Sequence, residues 1–89
     1  METTVINVFS SPVRLKLLCC LSRNKRNVSE LVKFCGLEQS AVSQHLSKLK
    51  KAGLIRNERD GKYIYYSLTK AETGKIANML NNYCEEVSK

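Results

Sequence analysis

Hydrophobic positions recur along this chain in two different rhythms. Up to Gly53 they return every three or four residues, from Leu54 to Leu68 they suit strands, and from Thr69 the helical spacing resumes. Residues 3–10 read as a short first helix with Val5, Ile6 and Phe9 on one side. Ser11-Pro12 has the form of an N-cap followed by proline at the first helical position. It opens a second helix over about Val13 to Arg23, in which Leu15, Leu18 and Leu21 share a face. Residues 22–27 are polar and basic and read as a loop. Asn27 and Glu30 carry the three-residue offset of a capping box. That offset predicts a third helix over Val28–Cys35, buried through Leu31 and Val32 and ended by Gly36. A fourth helix starts near Gln39 and stops at Gly53, with Val42, Leu46 and Leu49 as its apolar stripe. Leu54–Arg59 and Lys62–Leu68 suit two strands, and Asp60-Gly61 between them is a strong hairpin dipeptide. Thr69 and Glu72 repeat the capping-box spacing. The last helix then runs to about Val87, with Ile76, Leu80 (or Met79), Tyr83 and Val87 on one stripe.

The order α-α-α-α-β-β-α is mainly helical with a small β-hairpin, and is that of a winged helix-turn-helix. With 89 residues a single domain over 1–89 is expected. So small a domain buries a modest core, which a partner subunit would enlarge. Charge sharpens the picture. Fifteen Lys and Arg stand against eight Asp and Glu, a formal +7, which favours a polyanionic partner, nucleic acid before membrane. No apolar run approaches the roughly 20 residues that span a bilayer. METTVINVFSSP has an early Glu and no basic n-region, unlike a secretory signal. The expected location is the cytoplasm, where the four cysteines start as reduced thiols.

The segment GLEQSAVSQHLSKLKKAGLI, residues 36–55, carries the expected chemistry. At roughly 100° per residue, the face opposite Val42, Leu46 and Leu49 holds Ser40, Gln44, Ser47 and Lys51, flanked by Ser43 and Lys48. Short hydroxyls and an amide lead, and lysines follow. Small polar groups let a helix approach base edges, Gln pairs bidentately with adenine, and lysines with the helix N-terminus hold phosphates. An ordinary solvated amphipathic face is the competing reading. The DNA reading gains from the short preceding helix, the tight Gly-containing turn, the absence of acidic residues on the face, and the basic hairpin of Arg56, Arg59 and Lys62.

Three stretches, SSPVRLKLLCCLS, VSELVKFCGLEQSAVSQHLSKLKKAGLI and RDGKYIYYSL, resemble the ArsR/SmtB family of small repressors over nearly the whole chain. The resemblance implies a winged-helix homodimer joined through its first and last helices. It also implies an inverted-repeat operator in double-stranded DNA and an effector that lowers DNA affinity. It places Gln39, Ser40, Ser43 and Gln44 where the family's recognition helix meets the major groove. His45 falls in the family's S-x-H-L pattern, with phosphate contact or packing beside Val42 and Leu49 as its two readings. Arg59 and Lys62 fall on the wing, and Tyr66 matches a structural strand tyrosine.

The resemblance also bears on the effector. The family's C-V-C metal positions correspond here to Asn27 and Ser29, and the last helix has no His, so no metal or other cofactor is expected at those sites. A soft-metal site built from scattered cysteines stays open as an alternative. Cys19 in RLKLLCCL and Cys84 in LNNYCEE match the two cysteines of the family's sulfide- and persulfide-responsive branch. In that branch the pair links through a disulfide or short polysulfide. Reactive sulfur species or an oxidant are then the implied effectors, and simple packing is the other reading for both residues. Cys20 departs from that branch's pattern. Cys20 and Cys35 read as small core hydrophobes. CLSRNKR fits C-x5-R, the spacing of phosphatase loops, but Cys20 lies inside a predicted helix and the loop lacks glycine. With a single His there is also little acid–base machinery, so an enzyme is not expected. A DNA-binding module without any effector is the remaining alternative.

Overall fold

The computed structural model describes residues 3–88, and the side chains of residues 5–87. Helices α1 (Thr3–Phe9) and α2 (Pro12–Arg23) lead into a two-residue strand, β1 (Arg26–Asn27). Helices α3 (Val28–Cys35) and α4 (Gln39–Lys51) follow, then strands β2 (Ile55–Asp60) and β3 (Tyr63–Leu68) and helix α5 (Ala71–Ser88). The strands form an antiparallel sheet of order β1-β3-β2. This is the mainly helical winged helix-turn-helix expected from the sequence.

Local chemistry accounts for most boundaries. Ser11 caps α2 by accepting from the Arg14 N–H, with Pro12 at the start of the helix. Asn27 and Glu30 close the expected capping box at 2.9 and 3.0 Å. Gly36 ends α3 at φ +67°, in the left-handed region where a Cβ is penalised. The core is a single cluster built from Leu15, Leu17, Leu18 and Leu21 of α2, Leu31 and Cys35 of α3, and Val42, Leu46 and Leu49 of α4. Val8, Ile55 and Ala77 close it from α1, β2 and α5.

Three expectations are corrected. Residues 22–27 are not wholly loop, because Arg26 and Asn27 pair with Tyr66 and Tyr65. The hairpin's two loop residues are Gly61-Lys62, since Asp60 is still in the ladder opposite Tyr63. Gly61 carries the only positive φ there, +63°, which fits a two-residue turn with Gly at its first position. The Thr69 hydroxyl does not form a capping box with Glu72; it donates to the Gly53 carbonyl at 2.8 Å and ties α5's approach to the root of the wing. In α1 the buried residue is Val8, and Ile6 is exposed. The apolar stripe expected on α5 is present and faces outward, with Ile76, Met79, Tyr83 and Val87 exposed. The inward face of α5 is Thr73, Gly74 and Ala77. Gly74 is there because α2 crosses too closely for a side chain, as a Cβ would sit 2.5 Å from that of Ser22.

Candidate nucleic-acid interface

Helix α4 is anchored by three fully buried residues, Val42, Leu46 and Leu49. That anchoring fixes its rotation. Gln39, Ser40, Ser43, Gln44, Ser47, Lys48 and Lys51 are consequently all exposed, and the helix carries no acidic residue. Its last turn adds Lys50, which complements the negative end of the helix dipole. The expected face is therefore a continuous polar-to-basic surface. Three of its members, Ser40, Ser43 and Ser47, are short enough to let a nucleic-acid groove come close.

His45 stands apart from that face. It is half-buried, and its Nδ1 accepts from the Arg14 Nε at 3.4 Å. Arg14 also donates through Nη1 to the Asn7 carbonyl at 3.2 Å. One guanidinium therefore ties α1, α2 and α4 together. An acceptor at Nδ1 requires the neutral ring, and burial lowers the His45 pKa, helped by the positive charges of Arg14 and Lys48. Of the two readings of His45, the half-buried ring held by Arg14 fits packing. Sequence reasoning misses the role of Arg14, because its partner His45 lies 31 positions away on another helix.

The wing is less uniformly basic than its composition suggests. Glu58 is exposed on it but is held by the Lys25 Nζ at 3.1 Å. That contact raises the Lys25 pKa, through the hydrogen bond first and the Glu58 charge second. The Lys25 ammonium also lies 5.4 Å from the Tyr65 ring centre. With Glu58 paired to Lys25, the other charges of the hairpin are Arg56 near its root and Arg59, Asp60 and Lys62 at its far end, all exposed. Arg59 folds over the turn, donating to the Gly61 carbonyl at 3.3 Å, and the Lys62 ammonium sits 5.4 Å from the Tyr63 ring centre. Lys62, Tyr63 and Ile64 face Asn27, Val28 and Ser29 across an open cleft of about 190 Å³. Tyr66 is half-buried against the core, as a structural tyrosine would be.

The cysteines are all free thiols. Cys84 is exposed on α5, and Cys19 is half-buried on α2. Burial pushes the Cys19 thiol up, the neighbouring Cys20 adds to this, and Arg23 opposes it. The sulfur pair that the fold does bring into contact is a different one. Cys20 and Cys35, on α2 and α3, lie with Sγ atoms 3.9 Å apart, a proximity that residues fifteen positions apart do not reveal in sequence. Among the described residues, no three of His, Cys, Asp and Glu gather as metal ligands would, and no helix is long and apolar enough to cross a membrane.

Residues 11–57 match the family described as "Bacterial regulatory protein, arsR family". The chain is 39% identical over 82 residues to the HTH-type transcriptional regulator YgaV of Escherichia coli (strain K12), covering 90% of this chain and 83% of that protein. It is 36% identical over 76 residues to the Biofilm growth-associated repressor of Xylella fastidiosa, covering 85% of this chain and 67% of that one. Among solved structures, the transcriptional repressor BigR from Xylella fastidiosa superposes with a TM-score of 0.81 at 33% identity, covering 91% of this chain and 83% of that chain. Reduced HlyU from Vibrio cholerae superposes with a TM-score of 0.80 at 30% identity, covering 91% and 85%.

Proposed function

The chain belongs to the arsR family of bacterial regulatory proteins and is a DNA-binding transcriptional regulator rather than an enzyme. From that premise we propose a cytoplasmic, homodimeric repressor that reads an inverted-repeat operator, switched by thiol chemistry at Cys19 and Cys84. The observation that carries the reading is the exposed, acid-free face of α4, held in one rotation by Val42, Leu46 and Leu49. In this reading Gln39, Ser40, Ser43 and Gln44 meet base edges in the major groove. Lys48 takes a backbone phosphate, and Arg59 and Lys62 take the flanking backbone from the wing. His45 holds the helix from beneath through Arg14.

Repression is supported by the naming of a relative and of a solved neighbour as repressors. Dimerisation is supported by the apolar outer face of α5. There Ile76, Met79, Leu80 and Tyr83 line a groove of about 350 Å³, a contiguous apolar surface of the kind that marks interaction sites. The thiol switch is supported by the placement of Cys19 and Cys84 on α2 and α5, helices that pack together. Cys84, exposed, would meet a persulfide or oxidant first, and Cys19 would follow when the linkage forms.

The test uses duplexes selected by the reduced wild-type protein from a randomised pool. In fluorescence anisotropy on the selected duplex, Gln44→Ala is expected to lose about 1–3 kcal/mol of affinity, roughly five- to over a hundred-fold. The sedimentation coefficient should stay that of the wild type. Unchanged affinity would show that α4 does not read bases through Gln44. For the switch, a persulfide donor should lower affinity for the same duplex in the wild type and leave the Cys84→Ser variant unaffected. Equal loss in both proteins would remove Cys84 from the switch.

A further inference from the structure

The Cys20–Cys35 contact belongs to neither the DNA face nor the proposed switch. Both residues touch the core, but they are not alike. Cys20 is half-buried, while Cys35 is only 5% exposed. We propose that Cys20 and Cys35 are an oxidisable dithiol inside each protomer, a modification site at which a peroxide forms a disulfide between α2 and α3.

The geometry is nearly in place. A disulfide requires sulfurs about 2.05 Å apart, and these start at 3.9 Å, a gap shared between two side chains that already face each other. Burial, then the charge of Cys20 and a hydrogen bond to it, push the Cys35 thiol up to about 11, with Lys16 opposing. Burial therefore favours the protonated form of Cys35, and either sulfur can donate in the contact between them. The more accessible Cys20 is the nucleophile, and Cys35 resolves it.

In the first step the Cys20 thiolate attacks one oxygen of hydrogen peroxide. The S–O bond forms, the O–O bond breaks, and the departing hydroxide takes a solvent proton to become water. In the second step the Cys35 sulfur attacks the Cys20 sulfenic sulfur. The S–S bond forms, the S–O bond breaks, and the departing hydroxide takes the Cys35 proton. Two thiols and one peroxide give one disulfide and two waters, the two sulfurs together losing the two electrons that the O–O bond gains. Cys19 is adjacent in sequence but turned about 100° around α2, so it does not approach Cys35 from the same side. The new bond would tether the first helix of the helix-turn-helix to α2 across β1 and constrain the unfolded chain.

The experiment uses the full chain carrying Cys19→Ser and Cys84→Ser, which leaves only this pair. The reduced protein is treated with equimolar hydrogen peroxide, its remaining thiols are alkylated, and it is digested with trypsin for mass spectrometry. Both thiols should disappear together, and one link should join the peptides holding Cys20 and Cys35. The chain should run as a single protomer on a non-reducing gel, with a thermal midpoint that rises and falls back on reduction. Adding Cys35→Ser should arrest Cys20 at the sulfenic acid, trapped by dimedone. Both cysteines still alkylated after peroxide, or a link found only between two chains, would overturn the proposal. Wild-type protein gives the same answer if the variant folds poorly, since fragmentation of the linked peptide separates Cys20 from Cys19. None of these outcomes depends on DNA binding or on the Cys19–Cys84 switch.

Discussion

Gly74 is the position where one added methyl group tests the packing of α5 on α2. A Cβ there would lie 2.5 Å from the Ser22 Cβ, 2.9 Å from a Leu68 methyl and 3.4 Å from the Ser22 Cα. The Ser22 atoms belong to a helix backbone that cannot swing aside. Two effects oppose each other in Gly74→Ala. Alanine gains about 1 kcal/mol in helix propensity, while overpacking costs about 1–3 kcal/mol. Contacts below 3 Å on two sides put the cost at the upper end, so the variant is expected to be destabilised by about 1–2 kcal/mol net. Thermal unfolding checks this, since about 4–8 °C of midpoint corresponds to each kcal/mol in a domain of this size; an unchanged or raised midpoint would show that the helices separate freely. Nothing in the sequence marks Gly74, because a glycine inside a helical period shows its cost and not its reason. Asn27 is the opposite case. Its partner Glu30 lies three residues away, so the capping box is legible before any fold exists. Residue-scale features are readable where both partners sit within one turn, as for Ser11 and Gly36. They are hidden where the partner comes from another element, as for Arg14 with His45 and Cys20 with Cys35.

Elements are legible where a repeating pattern and a local stop agree. Helix α3 has the expected bounds, and α4 follows within a residue or two, because Asn27, Gly36 and Gly53 mark the turns chemically. Strand β1 is invisible in the pattern since two residues carry no period, and it is a strand only by pairing with β3. The hairpin turn moves by one residue because Gly61 satisfies either an Asp-Gly or a Gly-first turn, and the register of β2 against β3 decides between them. That register places Lys62 in the loop itself, at the outermost point of the wing, where it is exposed. A lysine that neutralises one phosphate releases about one counterion, so Lys62→Ala should flatten the slope of log affinity against log salt by about 0.9 for each phosphate that Lys62 neutralises. Affinity should fall similarly on selected and unselected duplexes, unlike the base-dependent loss expected for Gln44→Ala. Anisotropy titrations at several salt concentrations measure the slope. An unchanged slope would remove the wing tip from the DNA-binding surface.

At the scale of the whole molecule, the apolar stripe of α5 is left uncovered by its own chain. Periodicity correctly finds an apolar stripe on α5, but a period reports only that a face avoids water and not what covers it. Within one chain, α5 turns its small residues Thr73, Gly74 and Ala77 inward, leaving Met79 72% and Tyr83 65% exposed. A twofold axis along α5 would bring the same stripe of each protomer together and count every residue twice. Burying a methionine stabilises by about 1.5–3 kcal/mol, so its loss from both protomers removes about 3–6 kcal/mol from the dimer. That corresponds to roughly a hundred- to ten-thousand-fold weaker association. Met79→Lys makes this change at a position whose exposure leaves the single chain's core untouched. Sedimentation velocity should show wild-type protein as a dimer and the variant as a monomer at the same micromolar concentration, with an unchanged circular dichroism spectrum. DNA affinity should fall with it, because a monomer engages only one half-site and forgoes the linked second one. A variant that stays dimeric would place the interface elsewhere and leave the α5 groove without this role. A variant that is monomeric yet binds duplex as tightly as wild type would separate dimerisation from DNA recognition.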